Sequence, residues 1–372
     1  MRELVTIPIT TSSLFPMLPT QLTGLARLAA EAPHSADGHL VEFRDLQVRS
    51  ILNRSVSKRI VWLAYSINPY RGCEFGCKYC YARYTHQFLA PNPDRTIELP
   101  RTGTEQLRDP EAFERIIFLK QNAAWLLEQD LKRVDPTQEI ALGTATDPYQ
   151  PLERRQRVTR SILEVFARTR GFALGIVTKS ALITRDLELL QEIGRRHKLT
   201  VHITVTTMNE QLARTLEPRA PRPDLRISTL ARLRAAGIRT GVLCSPLMPG
   251  ITDSRSSISA VAKAASGSGA SFFAAGALFL KPCSLPTFFQ FVQEHFPEQL
   301  SAYERRYGAS AFVSPEYRTR IAAVVDSVCR EYRLGRRYEE MPSAGEAPSP
   351  TVELQPWLPF AESAPNHASS PN

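Results

Sequence analysis

The chain has 372 residues, 43% hydrophobic and 22% charged, a balance that excludes a disordered protein and suits one large α/β domain or two ordinary ones. Of its six cysteines, three crowd at positions 73, 77 and 80 and three are scattered at 244, 283 and 329, which excludes a disulfide framework and points to metal ligands in a reducing compartment. The net charge of +9 favours polyanionic partners through phosphate contacts, although an Arg-rich composition alone also produces it.

Residues 1–38 carry little periodicity and read as a loose N-terminal arm. The uncharged run from Leu4 to Ala26 is long enough to raise a membrane span, but Pro8, Pro16 and Pro19 argue against one. No signal peptide is evident, and the expected location is the cytoplasm. Residues 39–337 form the expected core. The extended segment Ile60 to Ile67 leads into the cysteine loop, and strand and helix signals alternate after it. Glu139 to Leu142 reads as a strand and Thr159 to Arg168 as a helix, followed by a strand from Phe172 to Thr178. Ile183, Leu187, Leu190 and Ile193 then share one face of an amphipathic helix.

Val201 to Thr206 is a β-branched strand, after which Asn209 can cap a short helix. Leu225 to Ala236 is helical, with Gly237 placed to end it. Ile238 to Leu243 and Ser271 to Leu280 read as strands around a small-residue helix, Ser254 to Ser266, and Phe288 to Phe296 opens the last helical section. This alternation implies a parallel sheet with right-handed crossovers, and an open (β/α)6 barrel fits it better than a flat sheet. Residues 338–372 are Pro- and Ser-rich and read as a disordered tail.

The cysteine loop is Asn68-Pro-Tyr-Arg-Gly-Cys-Glu-Phe-Gly-Cys-Lys-Tyr-Cys-Tyr-Ala-Arg83. Cys73, Cys77 and Cys80, spaced C-x3-C-x2-C, can ligate three irons of a [4Fe–4S] cluster and leave the fourth iron open for chemistry. Tyr79 sets an aromatic ring beside such a cluster. The competing reading is a zinc site with His86 as fourth ligand, which the compact triplet suits poorly. No P-loop, dinucleotide fingerprint or zinc-protease motif is present.

The motif C-x3-C-x-Φ-C, with Tyr79 as Φ, resembles the signature of the radical S-adenosylmethionine (SAM) superfamily. The flanking phrases Ile67-Asn-Pro-Tyr-Arg-Gly-Cys73 and Cys80-Tyr-Ala-Arg-Tyr-Thr-His86 resemble the spore photoproduct lyase-like branch, often labelled DNA repair photolyases. The resemblance runs from about Val41 to Tyr332 and implies a partial (β/α)6 barrel of the radical SAM type. It also implies cleavage of SAM to a 5′-deoxyadenosyl radical that abstracts hydrogen, with a flavodoxin- or ferredoxin-type electron donor.

In such a barrel, functional groups gather at the C-terminal ends of the strands. Gly143-Thr-Ala-Thr-Asp-Pro-Tyr-Gln-Pro151 resembles a family turn that reads Cys-Thr-Ser-Asp. Aligned on Asp147, it makes Thr146 a SAM ligand and puts Thr144 where the lyases carry a hydrogen-donating cysteine. Tyr81 joins Thr144 and Asp147 as an expected cofactor-binding residue. In Val177-Thr-Lys-Ser180, the resemblance gives Lys179 to the SAM carboxylate, with Ser180 beside it. Thr204-Val-Thr-Thr207 offers hydroxyls toward a substrate. In Cys244-Ser-Pro-Leu-Met-Pro-Gly250, read as an ordered turn, Cys244 is the candidate relocated hydrogen donor, against the plainer reading of a core residue. Cys283 and Cys329 read as structural. The run Glu153, Arg154, Arg155, Arg157 and Arg160 is either a solvated helix face or a phosphate-contact patch.

Three functions compete at this point. The favoured one is radical chemistry on nucleic acid, as in DNA repair or modification. The others are radical modification of a peptide or small molecule, and a non-catalytic iron–sulfur or zinc module that tethers partners. The tail adds a link to DNA: Gln355, Leu358 and Phe360 fit the pattern Q-x-x-L-x-F, which resembles the peptide that repair proteins offer to the bacterial sliding clamp.

Overall fold

The computed structural model describes residues 41–54, 63–89, 107–136 and 138–336. The N-terminal arm and the tail with its clamp-like motif lie outside them. Contacts divide the chain after Glu42, and the architecture below is that of the unit from Phe43 onward.

Among the described residues, ten strands lie in two sheets. They are β1 (Glu42–Asp45), β2 (Leu52–Arg54), β3 (Leu63–Ile67), β4 (Tyr70–Arg71), β5 (Ile116–Leu119), β6 (Glu139–Leu142), β7 (Ala173–Thr178), β8 (Lys198–Thr204), β9 (Thr240–Leu247) and β10 (Phe273–Ala277). The main sheet runs β10-β9-β8-β7-β6-β3-β2. Its six strands from β3 through β6–β10 are mutually parallel and neighbour one another in chain order, with β2 antiparallel at the edge. Six parallel strands in sequential order, joined by helical crossovers, are the partial (β/α)6 barrel expected of a radical SAM protein.

The strands read as nearly continuous apolar runs because the sheet is covered on both faces. Leu142 pairs with Ile176, Ile176 with Val201, and Ile203 with Val242, all of them fully buried. On the outside, the helix Val158–Arg168 buries Ile162, Leu163, Val165 and Phe166. The helix Leu187–Arg196 buries Leu190 and Ile193 in turn. Ile183 is buried as well, but in a separate 3-10 turn, Ala181–Asp186, so the single helix expected there is two pieces. Asn209 caps Glu210–Leu216 by accepting from the Leu212 amide, and Ser254 caps Arg255–Gly267 through the Ser257 amide.

Two expectations need correction. The segment after Leu243 is not a turn: β9 continues through a cis Ser245–Pro246 bond to Leu247, and the turn begins at Met248. Likewise β10 stops at Ala277 rather than Leu280. A second sheet, in the order β1-β5-β4, braces the cysteine loop and is absent from the sequence reading.

Candidate active site

The cysteine loop leaves β3, passes through β4 and turns back at Gly72, whose φ of +92° is open to glycine alone at low cost. A Cβ there would sit 2.8 Å from the carbonyl oxygens of Phe113 and Ile116, so the loop lies flat against the element beside it. The Cys73 amide donates to Phe113 O at 2.9 Å and the Lys78 amide to Leu216 O at 2.9 Å, holding the loop at its first cysteine and again just after its second. Between them, the Glu74 amide donates to Gln150 Oε1 at 2.9 Å, and Glu74 accepts from the Leu152 amide at 2.7 Å. Burial pushes the Glu74 carboxyl up to about 7.

Charged side chains buckle the outside of this loop. Arg83 donates to Cys77 O at 3.1 Å and pairs with Glu114 at 2.7 Å, and Arg219 reaches the same carboxylate at 3.2 Å. Behind the loop, Glu217 and Arg226 form a fully buried ion pair of 2.5 Å. Glu217 also accepts from Thr206 at 2.9 Å and from the Tyr79 hydroxyl. Tyr79 is thereby anchored at its polar end, which leaves its ring to line a cavity.

That cavity, of about 180 Å³, is built at the C-terminal ends of all six parallel strands. Cys73, Cys77 and Cys80 enter it from the loop after β3, with Tyr79 and Tyr81. Thr144, Thr146 and Asp147 follow β6, Lys179 follows β7, Thr204 ends β8, Ser245 and Pro246 come from β9, and Gly276 and Ala277 from β10.

The expected cofactor residues divide by what they hold. The Thr146 hydroxyl donates to Gly72 O at 2.6 Å, so it ties the β6 turn to the cysteine loop. Asp147 is buried and accepts from Thr178 Oγ1, the Lys179 amide and the Tyr149 amide at 2.7, 2.7 and 2.9 Å. Burial pushes its carboxyl up, against those bonds. Thr144 lies 3.3 Å from the Asn68 amide nitrogen, and its carbonyl accepts from the Tyr81 hydroxyl. Ser180 does not line the cavity; it caps the turn that follows by accepting from the Leu182 amide at 3.2 Å.

Lys179 is different. Its ammonium makes no ion pair or hydrogen bond among the described residues and lies 5.8 Å from the centre of the Tyr79 ring. Burial opposes its charge, but Cys77 as thiolate and the Glu217 carboxylate more than offset that and hold its pKa above the ordinary lysine value. The Ser245 hydroxyl is also buried in the wall with no hydrogen-bond partner. An unpaired cation, an unpaired hydroxyl and three thiols around one cavity are what a cluster with a zwitterionic ligand needs, so the residues present fit both groups.

His86 takes no part. It is buried against Phe113 and Phe118, and its Nε2 lies 2.8 Å from Ile116 O. Among the described residues, no set of three or more His, Cys, Asp or Glu closes on a single metal ion.

Cys244 requires correction as a hydrogen donor. Leu243 and Ser245 face the cavity, so strand alternation turns Cys244 to the opposite side, where its thiol contacts Thr206 O at 3.9 Å and feels Cys329 of the helix Pro315–Glu331. Burial pushes that thiol up to about 12. The Glu153–Arg160 run divides: Arg154, Arg155 and Arg157 are exposed, whereas its two ends are engaged within the fold. Glu153 is buried and accepts from Tyr70, the Thr159 amide and Arg185, while Arg160 is committed to Asp186 at 2.6 Å and Glu188 at 2.9 Å.

A parallel partial barrel whose strand ends converge on a C-x3-C-x2-C loop defines a class, and comparison places the chain in it. The chain belongs to the radical SAM superfamily, whose family model matches residues 67–258. It is 30% identical over 328 residues to the uncharacterized protein Rv2578c of Mycobacterium tuberculosis, covering 88% of this chain and 90% of that one. It is 28% identical over 189 residues to the uncharacterized protein MJ0683 of Methanocaldococcus jannaschii, covering 51% of this chain and 62% of the relative. Among solved structures, a spore photoproduct lyase mutant with bound AdoMet and dinucleoside spore photoproduct aligns with a TM-score of 0.55 at 14% identity, over 84% of this chain and 83% of that one. At that identity the likeness speaks for the fold.

Proposed function

We propose that the protein binds a [4Fe–4S] cluster through Cys73, Cys77 and Cys80 and SAM beside it, and acts by hydrogen abstraction on a nucleic acid component. Such a cluster, when bound, supplies the electron that breaks the SAM sulfonium bond and releases a 5′-deoxyadenosyl radical. The observation that carries the reading is the convergence of the three thiols and the unpaired Lys179 ammonium on one cavity at the strand ends.

The residues divide the work by position. Lys179, held charged by its surroundings, pairs with the SAM carboxylate in a charge-assisted contact. Tyr79, pinned by Glu217, packs its ring against the bound ligand, and Thr204 and Ser245 offer hydroxyls on the far wall. Leu243, Leu278 and Phe279 keep that wall apolar, which excludes water and stray hydrogen donors. The nucleic acid assignment draws on the +9 charge and on the lyase of like fold that holds a dinucleoside. An electron donor of flavodoxin or ferredoxin type completes the scheme.

The test is anaerobic reconstitution followed by assay with dithionite. Wild type should take up about four irons per chain and form 5′-deoxyadenosine from SAM. Changing any one of Cys73, Cys77 or Cys80 to Ala should abolish both. Stoichiometric zinc without iron uptake would return the protein to the tethering class.

A further inference from the structure

Beside the SAM cavity lies a second cleft, of about 290 Å³, and Tyr81, Thr144 and Ala145 form the wall common to both. Its cations are Arg54, Arg71 and Lys120, and no Asp or Glu is among the described residues that line it. Lys120 is the unusual member. It follows β5, is only 6% exposed, and its ammonium has no hydrogen-bond or ion-pair partner among the described residues. Only its backbone is engaged, the amide donating to Pro69 O at 3.2 Å. Arg71 donates to Thr85 O at 3.0 Å through one nitrogen, so two like charges share the cleft with no counter-ion.

Such an arrangement is costly for a protein alone, since a largely buried cation without a partner gives up much of its hydration for no protein contact in return. Burial, with Arg71 beside it, pulls the Lys120 ammonium down to about 8. An anion placed between Lys120 and Arg71 removes both penalties. At the rim, Phe88 is 64% exposed and meets Tyr84 edge-on at 5.7 Å, an aromatic pair beside the cations. Cations on the floor and a bare aromatic ring at the edge suit a phosphate that carries a stacking base.

We infer that this cleft binds a phosphate group of the substrate through Lys120, Arg71 and Arg54, and so holds the adjoining residue of the substrate at the mouth of the SAM cavity. The inference rests on the reading of the neighbouring cavity as the SAM site and adds to it the substrate class: a phosphate ester, as a phosphodiester strand or a small nucleotide.

The test uses the full-length reconstituted holoenzyme and needs no turnover. Fluorescence anisotropy is measured with a fluorescein-labelled deoxynucleotide hexamer and with the same hexamer carrying neutral methylphosphonate linkages. Thermal shift is measured with inorganic phosphate and with thymidine monophosphate. Lys120→Met should weaken the ordinary hexamer by about tenfold or more, the loss expected for one charged contact, and leave the neutral hexamer unaffected. Lys120→Arg should restore most of the affinity. Because it removes an unpaired buried charge, Lys120→Met should melt no lower than wild type without ligand, which separates lost binding from misfolding.

If only the phosphate and nucleotide shifts disappear in Lys120→Met, the site stands and its ligand is a small phosphate ester. If Lys120→Met binds every probe as wild type does, the inference is overturned. Formation of 5′-deoxyadenosine by the same wild-type preparation keeps the two readings apart. Its absence beside intact phosphate binding removes the SAM reading alone, and its presence beside phosphate binding indifferent to Lys120 removes this one alone.

Discussion

Lys179 and Cys244 both sit at strand ends in the sequence, yet only one of them reaches the site. Lys179 follows the last residue of β7 and enters the cavity, whereas Cys244 sits inside β9 with the wrong parity. That parity was readable only if the strand was known to continue past Pro246, a residue that reads as a turn former. Lys179→Ala should weaken SAM binding by about 1.5–3 kcal/mol, the range for a hydrogen bond to a charged group, while leaving the iron content intact. Calorimetric titration of the reconstituted variant measures it, and unchanged affinity would make Lys179 a bystander. His86 supplies a separate prediction. Burial holds its imidazole down to about 4 against an ordinary 6.5, so the unfolded chain binds its proton first as pH falls. Its stabilising contribution is therefore present above about 6.5 and is lost as pH falls towards 4. Urea midpoints across that window should fall less in His86→Gln than in wild type, and parallel curves would show that other groups govern acid unfolding.

At the scale of elements, the six parallel strands were legible because each contains a short apolar run and helical patterns separate them, although the ends of β9 and β10 were not. The bracing sheet was not, because β4 has only two residues inside the cysteine loop and β5 follows the short helix Ala112–Arg115 with no break to mark its start. Also hidden was the tie between the cysteine loop, β8 and the helix Pro223–Ala235. Glu217 and Arg226 look like ordinary surface charges in the sequence, and only the fold brings them together behind Tyr79. Removing one partner leaves the other charge buried and unpaired, so Arg226→Met should cost about 3–5 kcal/mol of stability. Adding Glu217→Gln should recover part of that loss, because the two changes act on one interaction. Chemical denaturation of the single and double variants measures the coupling, and strict additivity would show that the pair is not a unit.

For the whole molecule, likeness of fold and likeness of reaction come apart. The chain shares the path of a spore photoproduct lyase over most of its length, but a fold hosts chemistries that its site residues decide. The resemblance puts the lyases' hydrogen-donating cysteine at Thr144, which lines the cavity beside Tyr81 and carries a hydroxyl. An O–H bond gives up a hydrogen atom far less readily than an S–H bond. The remaining thiols do not fill the gap: among the described residues, the cavity's only cysteines are Cys73, Cys77 and Cys80, which the cluster would occupy, and Cys244 faces the outer helices. The reconstituted enzyme should therefore form 5′-deoxyadenosine yet restore little or no thymidine from dinucleoside spore photoproduct, followed by chromatography of the products. Thr144→Cys should raise the restored fraction if the donor is all that is missing. Efficient repair by the wild type would show that a group other than a cavity thiol returns the hydrogen, and Tyr81, whose phenol lines the same wall, would be the first to replace with Phe.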